Sequence, residues 1–560
     1  MASGGKMKAL LEAGPEERVK RRKVAFAAIP ESVVSCNANE CMKLLFVSSA
    51  QDMQDESQRE EIMCDPQFAE RIFGEDGTIY GYEGLEIDLW LQSNTFHAYV
   101  DIRFIKKVEG GKNPPTDIWS QLKKVFGDSM TDDREAFVSS LTVNSLAFEK
   151  MIKEKSEAVT KPWRIGCESP DESVADKKCE VIVDEISEKS GQIVRMELID
   201  PTVRAWHKRL NPLSLFYIEG ARPIEDDDPL WEVYLALEIH DDRRKIMGFC
   251  NVYRFYHYPD STRLRISQIL VLPLYQGMGY GLHLLEAVND TAVGRGCYDV
   301  TMEEPSINLQ KLRDTMDILR LLSIPSQELK AQVEDAISDG IQRLHSRKVP
   351  NSSRPEVPEV EAASAGSSNG FRGKSSHKLT NGVKERSLLD PPKQLRDQVR
   401  NLLKINKKQF KRCWEQLLFL HLDPQDKDLQ DMFQSGLIQR LNSELFGKDK
   451  ELEKQAGKQI FDTENEYDSS KTFVMVRVKS KTGQVPSFET DGRSTEPAAE
   501  DKVKALQESL SEREEELYGV ARDVARHCHR LGIAIPTIEH WTKPEAQNVD
   551  ENSSGSSSPM

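Results

Sequence analysis

A chain of 560 residues is too long for one ordinary domain, and three or four units are expected. Hydrophobic content of 38% is low and charged content of 30% is high, so folded segments should alternate with stretches that bury little. The net charge of −16 argues against broad nucleic-acid binding and suits a basic partner, and no apolar run is long enough to cross a membrane.

Residues 1–34 read as a disordered tail without the apolar core of a secretory signal. Its basic knot, Arg18, Lys20, Arg21, Arg22 and Lys23, is either a nuclear localisation signal or a solvated tail. Met42–Val47 is the first predicted strand, and Pro66–Phe73 a short helix. Leu85, Ile87, Leu89 and Leu91, then Phe96, Ala98, Val100, Ile102 and Phe104, alternate as the two arms of a hairpin. Helices follow at Ile118–Val125 and near Asp132–Leu141, so 35–150 reads as a small α+β domain.

Residues 151–315 read as a second, mixed α/β domain. Lys153–Lys178 is a polar connection, Glu180–Val183 and Arg195–Ile199 are strand-like, and Val203–Leu210 and Leu213–Ile218 are helical. Trp231–Ile239 and Ile246–Tyr256 make a hairpin, and Ile266–Leu272 a buried strand. Residues 316–345 and 391–425 carry helical stripes, and the segment between, 346–390, has a disordered composition. Residues 426–560 form an extension with helices and a disordered tail, with Phe473–Val476 as a lone strand candidate. Within it, the stripe from Val503 to Val524 either forms a short coiled coil or packs on its own domain. The nine cysteines include no CxxC pair and read as reduced thiols. His527, Cys528 and His529 point to different helical faces, which argues against a metal site.

The most informative stretch follows the buried strand. Gln276, Gly277, Met278, Gly279, Tyr280, Gly281 and Leu282 make a glycine-rich turn opening a helix, and the next strand ends in Glu303-Glu304. Backbone N–H groups at such a turn suit a diphosphate. Leu282 occupies the position where a dinucleotide fingerprint needs its third glycine, and the Gly-Lys-Ser/Thr of a P-loop is absent. What remains is Gln-x-x-Gly-x-Gly, or a plain tight strand–helix turn.

The segment resembles the acetyl-CoA motif of GCN5-related N-acetyltransferases. More widely, Tyr258–Gln268, Gln276–Gly281, Glu303–Ser306, Lys311–Asp314, Phe73–Gly84 and Lys404–Lys408 are similar to the catalytic subunit of type B histone acetyltransferases. The likeness spans about 36–345 and 390–422 and leaves the insert and the chain after about 425 unassigned. It implies an α+β chain: an N-terminal α+β domain, a central N-acetyltransferase fold and a C-terminal helical domain.

It also implies acetyl transfer from acetyl-CoA, without metal, to tail lysines of newly made histone H4, linked to chromatin assembly. Glu303 would be the general base, with Glu219 and Glu304 as further carboxylates of the site; the family more usually has Asp at position 304. Ile269, Leu270 and Val271 would pair with the pantetheine arm, and Gln276–Leu282 would hold the diphosphate. Glu75, Asp76, Gly77, Tyr253, Arg254 and Phe255 would contact the histone tail, Gly77 standing where an acid is common. Glu225–Asp228 is a further acidic stretch for tail attraction, or a solvated loop. Expected partners are histone H4 with histone H3 and a WD40-repeat histone chaperone of the retinoblastoma-binding kind. The expected location is nucleus and cytoplasm. The alternatives are an N-acetyltransferase for another protein lysine or a polyamine, and a weakly catalytic histone-binding scaffold.

Overall fold

The computed structural model describes residues 34–74, 76–108, 113–165, 189–224, 227–241, 243–346, 389–455, 499–535, 537 and 541. The basic knot, Glu75, Glu180–Val183, Glu225, Asp226 and Phe473–Val476 lie outside these residues. Contacts divide the chain into two units, residues through 150 with 205–225, and 151–204 with everything from 226 onward. Residues 205–225, expected with the second domain, therefore group with the first.

The first unit begins with β1 (Ser35–Asn37), α1 (Ala38–Cys41) and β2 (Met42–Val47). After α2 (Arg59–Ile62) come β3 (Met63–Cys64), α3 (Glu70–Phe73), β4 (Thr78–Tyr80) and β5 (Tyr82–Glu83). The predicted hairpin is β6 (Glu86–Gln92) and β7 (Ala98–Arg103), antiparallel from Glu86↔Arg103 to Leu91↔Ala98. Next are β8 (Lys106–Lys107), α4 (Ile118–Phe126), β9 (Met130–Thr131) and α5 (Arg134–Lys155). α5 runs well past the predicted Leu141, because Phe148, Met151 and Ile152 continue its buried side. The five-stranded sheet has the order β3-β2-β6-β7-β9. Leu45, Val47, Trp90 and Tyr99 pack on Phe137 and Leu141 of α5. The chain returns through α6 (Pro201–His207) and α7 (Asn211–Tyr217), where Trp206 Nε1 donates to Asn94 O at 3.1 Å.

The second unit is built on a seven-stranded sheet. β10 (Glu157–Ala158) and β11 (Trp163–Arg164) both pair with β12 (Ser190–Glu197), so the described part of the predicted polar connection contributes sheet edge. β13 (Trp231–His240), β14 (Arg243–His257) and β15 (Ser261–Val271) follow as an antiparallel meander. β15 starts five residues before the predicted strand. Its polar beginning is held by Arg263, whose Nε donates to the buried Asp299 at 2.5 Å. α8 (Tyr280–Gly294) crosses back to β16 (Val300–Met302), which lies parallel to β15. Leu284, Leu285 and Val288 of α8 pack on Ile193, Tyr234, Ala236 and Ile266 of the sheet.

The helical part comprises α9 (Ile307–Leu322), α10 (Gln327–Ser346), α11 (Lys393–Leu403), α12 (Lys407–Leu420), α13 (Lys427–Gln455) and α14 (Ala499–Leu531). The stripe from Leu395 to Leu418 is two helices. Lys404 has φ 60° and ends α11, and Asn406 caps α12 by accepting from Gln409 N at 2.9 Å. One apolar cluster joins Ile318 and Leu321, Leu417 and Leu418, Phe433 and Leu437, and Val520 and Val524. The stripe of α14 therefore packs on its own chain, and α13 and α14 share the core of the preceding helices. Buried charge adds direction to that packing. Asp314 accepts from Arg412 at 3.0 Å and Gln409 at 2.9 Å, and Glu415 faces Arg513 at 3.2 Å and Arg440 at 2.5 Å. Among the described residues, no helix is long and apolar enough to cross a membrane.

Candidate acetyl-transfer site

The site begins where the sheet splits. β15 and β16 run together from Leu264↔Val300 to Ile266↔Met302, and Glu303 N–H closes the ladder on Ile266 O at 2.9 Å. β16 then ends, while β15 continues beside β14 to Val271. On the β14 side, Leu272 N–H donates to Met247 O at 2.9 Å and the Leu270 carbonyl lies against Gly248. Main-chain direction alternates along a strand, so Ile269 and Val271 present their groups on the edge that β16 has left. Of the three predicted pantetheine contacts, Leu270 is thus turned toward β14.

A bulge sits at the same split. Asn251 pairs with Gln268 and Val252 with Ile266, which leaves Ser267 as the extra residue. A bulge re-aims a side chain. Here Ser267 Oγ donates to Glu303 Oε2 at 2.9 Å, on an exposed carboxylate. Sequence reasoning missed Ser267; the available signal was a polar pair, Ser267-Gln268, inside an otherwise apolar run. On its far side, β16 is braced by the loop after α11: Val300 N–H donates to Lys404 O at 2.9 Å, and Asn406 Nδ2 donates to Val300 O at 3.1 Å. Glu304 follows with φ 34°, a conformation that a non-glycine residue adopts at some cost. It turns the chain into Pro305 and the Ser306 cap of α9.

The glycine turn lies at the other end of the open edge. Gln276 Nε2 donates to Val271 O at 3.0 Å and ties the turn to the strand. Gly277 and Gly279 have φ 80° and 85°, and a Cβ added to either would meet nothing within 4 Å. They are glycines for backbone conformation, facing open space. Gly281 differs: its Cβ would stand 3.1 Å from Leu312 Cδ2, so this glycine lets α9 close on α8. Met278 is exposed, Leu282 is half-buried, and Tyr280 turns its side chain into the core, leaving its backbone for the turn. A free strand edge, an exposed left-handed glycine turn and a helix N-terminus in sequence fit an extended donor ending in a diphosphate.

The predicted tail residues separate. Tyr253 and Phe255 share one face of β14, with rings 4.5 Å apart, and Trp231 meets Tyr253 edge-on at 4.9 Å. Tyr253 OH donates to Asp228 at 2.6 Å, and this bond pushes the phenol up to about 12. Arg254 points to the other face and is committed to the fully buried Glu232, 3.1 Å away, which also holds Arg195 and Arg295. Glu219, Asp76 and Gly77 belong to the first unit, Glu219 exposed beyond the end of α7. Cys297 is buried.

Residues 34–219 match the family model described as the histone acetyl transferase HAT1 N-terminus, and residues 198–312 match the acetyltransferase (GNAT) family. A histone acetyltransferase type B catalytic subunit of Arabidopsis thaliana is 32% identical over 93% of this chain and 98% of its own length. The chain belongs to the type B histone acetyltransferase catalytic subunit family. A relative of the same description from Zea mays is 33% identical over 91% of this chain and 94% of its own, and one from Dictyostelium discoideum is 30% identical over 48% and 55%. The Arabidopsis and maize matches reach well beyond residue 425, where the sequence resemblance ended. Among solved structures, a soil-metagenome aminoglycoside acetyltransferase aligns at 18% identity over 21% of this chain and 80% of its own, with TM-score 0.18. The enzyme is an acetyltransferase with a mixed α/β fold, and GNAT acetyltransferases use acetyl-CoA.

Proposed function

We propose that this enzyme acetylates lysines in the N-terminal tail of newly synthesised histone H4, by direct attack of the amine on acetyl-CoA with Glu303 as general base. The observation that carries the reading is the position of Glu303: it closes the β15–β16 ladder beside the open edge of β15, its carboxylate held by Ser267. A free lysine has a pKa of about 10.4 and must lose a proton before it attacks a thioester. Glu303 takes that proton, directly or through one water, where an amine entering at the split meets the acetyl carbon. Main-chain groups of Ile269 and Val271 align the pantetheine arm, and an N–H on that edge faces the carbonyl oxygen that gains charge. Gln276–Leu282 hold the diphosphate. Glu219 and Glu304 are the further carboxylates of the reading.

The tail is basic, and an aromatic row ending in an acid suits it: Trp231, Tyr253 and Phe255 beside Asp228, with Glu75, Asp76 and Gly77 as the contacts of the first unit. Arg254 supports this row from the opposite face. The same reading has the enzyme acting on H4 in company with H3 and a WD40-repeat chaperone of the retinoblastoma-binding kind, in nucleus and cytoplasm, ahead of chromatin assembly. Radiolabelled acetyl-CoA offered with free histones, an H4 tail peptide and spermidine tests it. Label on the H4 peptide is expected. Label on spermidine or on other proteins alone would reassign the acceptor, and cofactor binding without transfer would mark a scaffold.

A further inference from the structure

The first unit holds a pair of thiols that the transfer reaction does not use. Cys36 lies on β1 and Cys41 ends α1, and their Sγ atoms are 3.6 Å apart. Both are free and half-buried. Each thiol also makes a longer contact to a carbonyl, Cys36 to Ile79 O at 3.9 Å and Cys41 to Ala38 O at 4.0 Å. The short turn that carries them grips a neighbouring segment at both ends. Ala38 N–H donates to Gly77 O at 2.8 Å, and Asn39 Oδ1 accepts from Ala69 N–H at 2.9 Å. Cys36 and Asn37 pair with Ile79 and Thr78. Residues 36–41 therefore clamp 69–78, the stretch that carries α3 and the Gly74–Gly77 turn. The hydrogen bond between the thiols holds Cys36 below the ordinary thiol range, while that bond and burial push Cys41 up. Cys36 is the nucleophile of the pair and Cys41 the resolving thiol.

We propose that Cys36 and Cys41 are a peroxide-responsive dithiol, and that its oxidation to a disulfide locks the clamp on residues 69–78. The Cys36 thiolate attacks one oxygen of hydrogen peroxide. The O–O bond breaks, a sulfenic acid forms, and the leaving hydroxide takes a proton to become water. The Cys41 sulfur then attacks the Cys36 sulfur. The S–O bond breaks and a second water leaves, so two thiols and one peroxide give one disulfide and two waters. The sulfurs must close from 3.6 Å to about 2.05 Å, which rotation of two half-buried side chains supplies. The remaining described cysteines are placed differently: Cys64 is bonded to Tyr217 OH at 2.9 Å, and Cys250, Cys297, Cys413 and Cys528 are buried.

Trypsin cuts after Lys23 and Lys43, so both thiols fall in one peptide, 24–43. The reduced full-length protein is treated with graded hydrogen peroxide, denatured, alkylated with N-ethylmaleimide and digested without reductant. The peptide should pass from doubly alkylated to unalkylated and two hydrogens lighter, at doses that leave Cys64 alkylated. Amide exchange over 66–80 should slow about tenfold in the oxidised protein and recover with dithiothreitol. Cys41→Ser should leave Cys36 carrying added oxygen instead. Double alkylation that persists at doses oxidising Cys64, or exchange that the disulfide does not slow, would overturn the proposal.

Discussion

Gly279→Ala is the sharpest probe of the donor site, because its cost is separable from packing. Gly279 has φ 85°, is exposed, and would place its Cβ within 4 Å of nothing. The only penalty is the left-handed backbone, about 1–2 kcal/mol for a residue bearing a Cβ. In the free protein the exposed turn can relax out of that conformation, so stability should hardly change. Binding must restore it, and the penalty then appears as an affinity loss of about 5- to 30-fold. Titration calorimetry with acetyl-CoA and a thermal melt of the same protein measure the two effects. Gly294→Ala is the control. It also meets nothing within 4 Å but lacks a positive φ, and it should leave affinity unchanged. Unchanged acetyl-CoA affinity in Gly279→Ala, or a fall in melting temperature in place of the affinity loss, would refute the assignment of this turn to the donor.

Glu303→Gln should lower turnover about 100- to 1,000-fold, most near neutral pH, with acetyl-CoA affinity nearly unchanged; equal turnover across pH would remove Glu303 as base. Ser267→Ala should lower kcat about three- to tenfold without moving the KM for acetyl-CoA, since the hydroxyl orients Glu303 and stands off the donor edge; Ser267→Thr should recover part of the loss. His97 supplies a pH prediction for the first unit. Burial, helped by Arg209, lowers its folded value to about 4 from the ordinary 6.5. Below pH 6.5 the unfolded chain takes up a proton that the folded chain refuses. Stability should therefore fall as pH drops from 6.5 toward 4, by about 3 kcal/mol at most. Denaturant titrations at pH 7 and 4.5 should show this loss in the wild type and less of it in His97→Gln.

Much of the architecture was legible because it rests on local pattern. The alternation of Leu85–Leu91 and Ala98–Phe104 predicts a hairpin, and β6 and β7 form it, although β6 is buried on both faces, Asp88 and Gln92 included. The apolar run before Gln276 and the 3/4 spacing after Gly281 foretold the strand, turn and helix around Gln276–Leu282. What went unread depends on partners distant in sequence. The helical stripe from Leu395 to Leu418 looked continuous because periodicity does not register a single left-handed residue. Lys404 breaks it, and the loop it creates joins the edge of β16. The polar residues 157–164 carry no strand signal of their own, and β12 draws them into the sheet. Tyr253, Arg254 and Phe255 appeared as one contact in sequence, but strand alternation sends Arg254 to Glu232 on the other face.

By itself the sequence determined the glycine turn at Gln276–Leu282, the carboxylate pair at Glu303-Glu304 and the family, because glycines with special backbone needs and a carboxylate at a strand end are properties of short segments. Only the tertiary structure decided how those parts cooperate. The split between β15 and β16, the bulge that aims Ser267 at Glu303, and the turning of Leu270 toward β14 follow from register between strands. Register is set by pairing across the sheet, and no single segment contains it. The same holds for the clamp at Cys36 and Cys41, whose grip on Ala69 and Gly77 is a matter of folded distance.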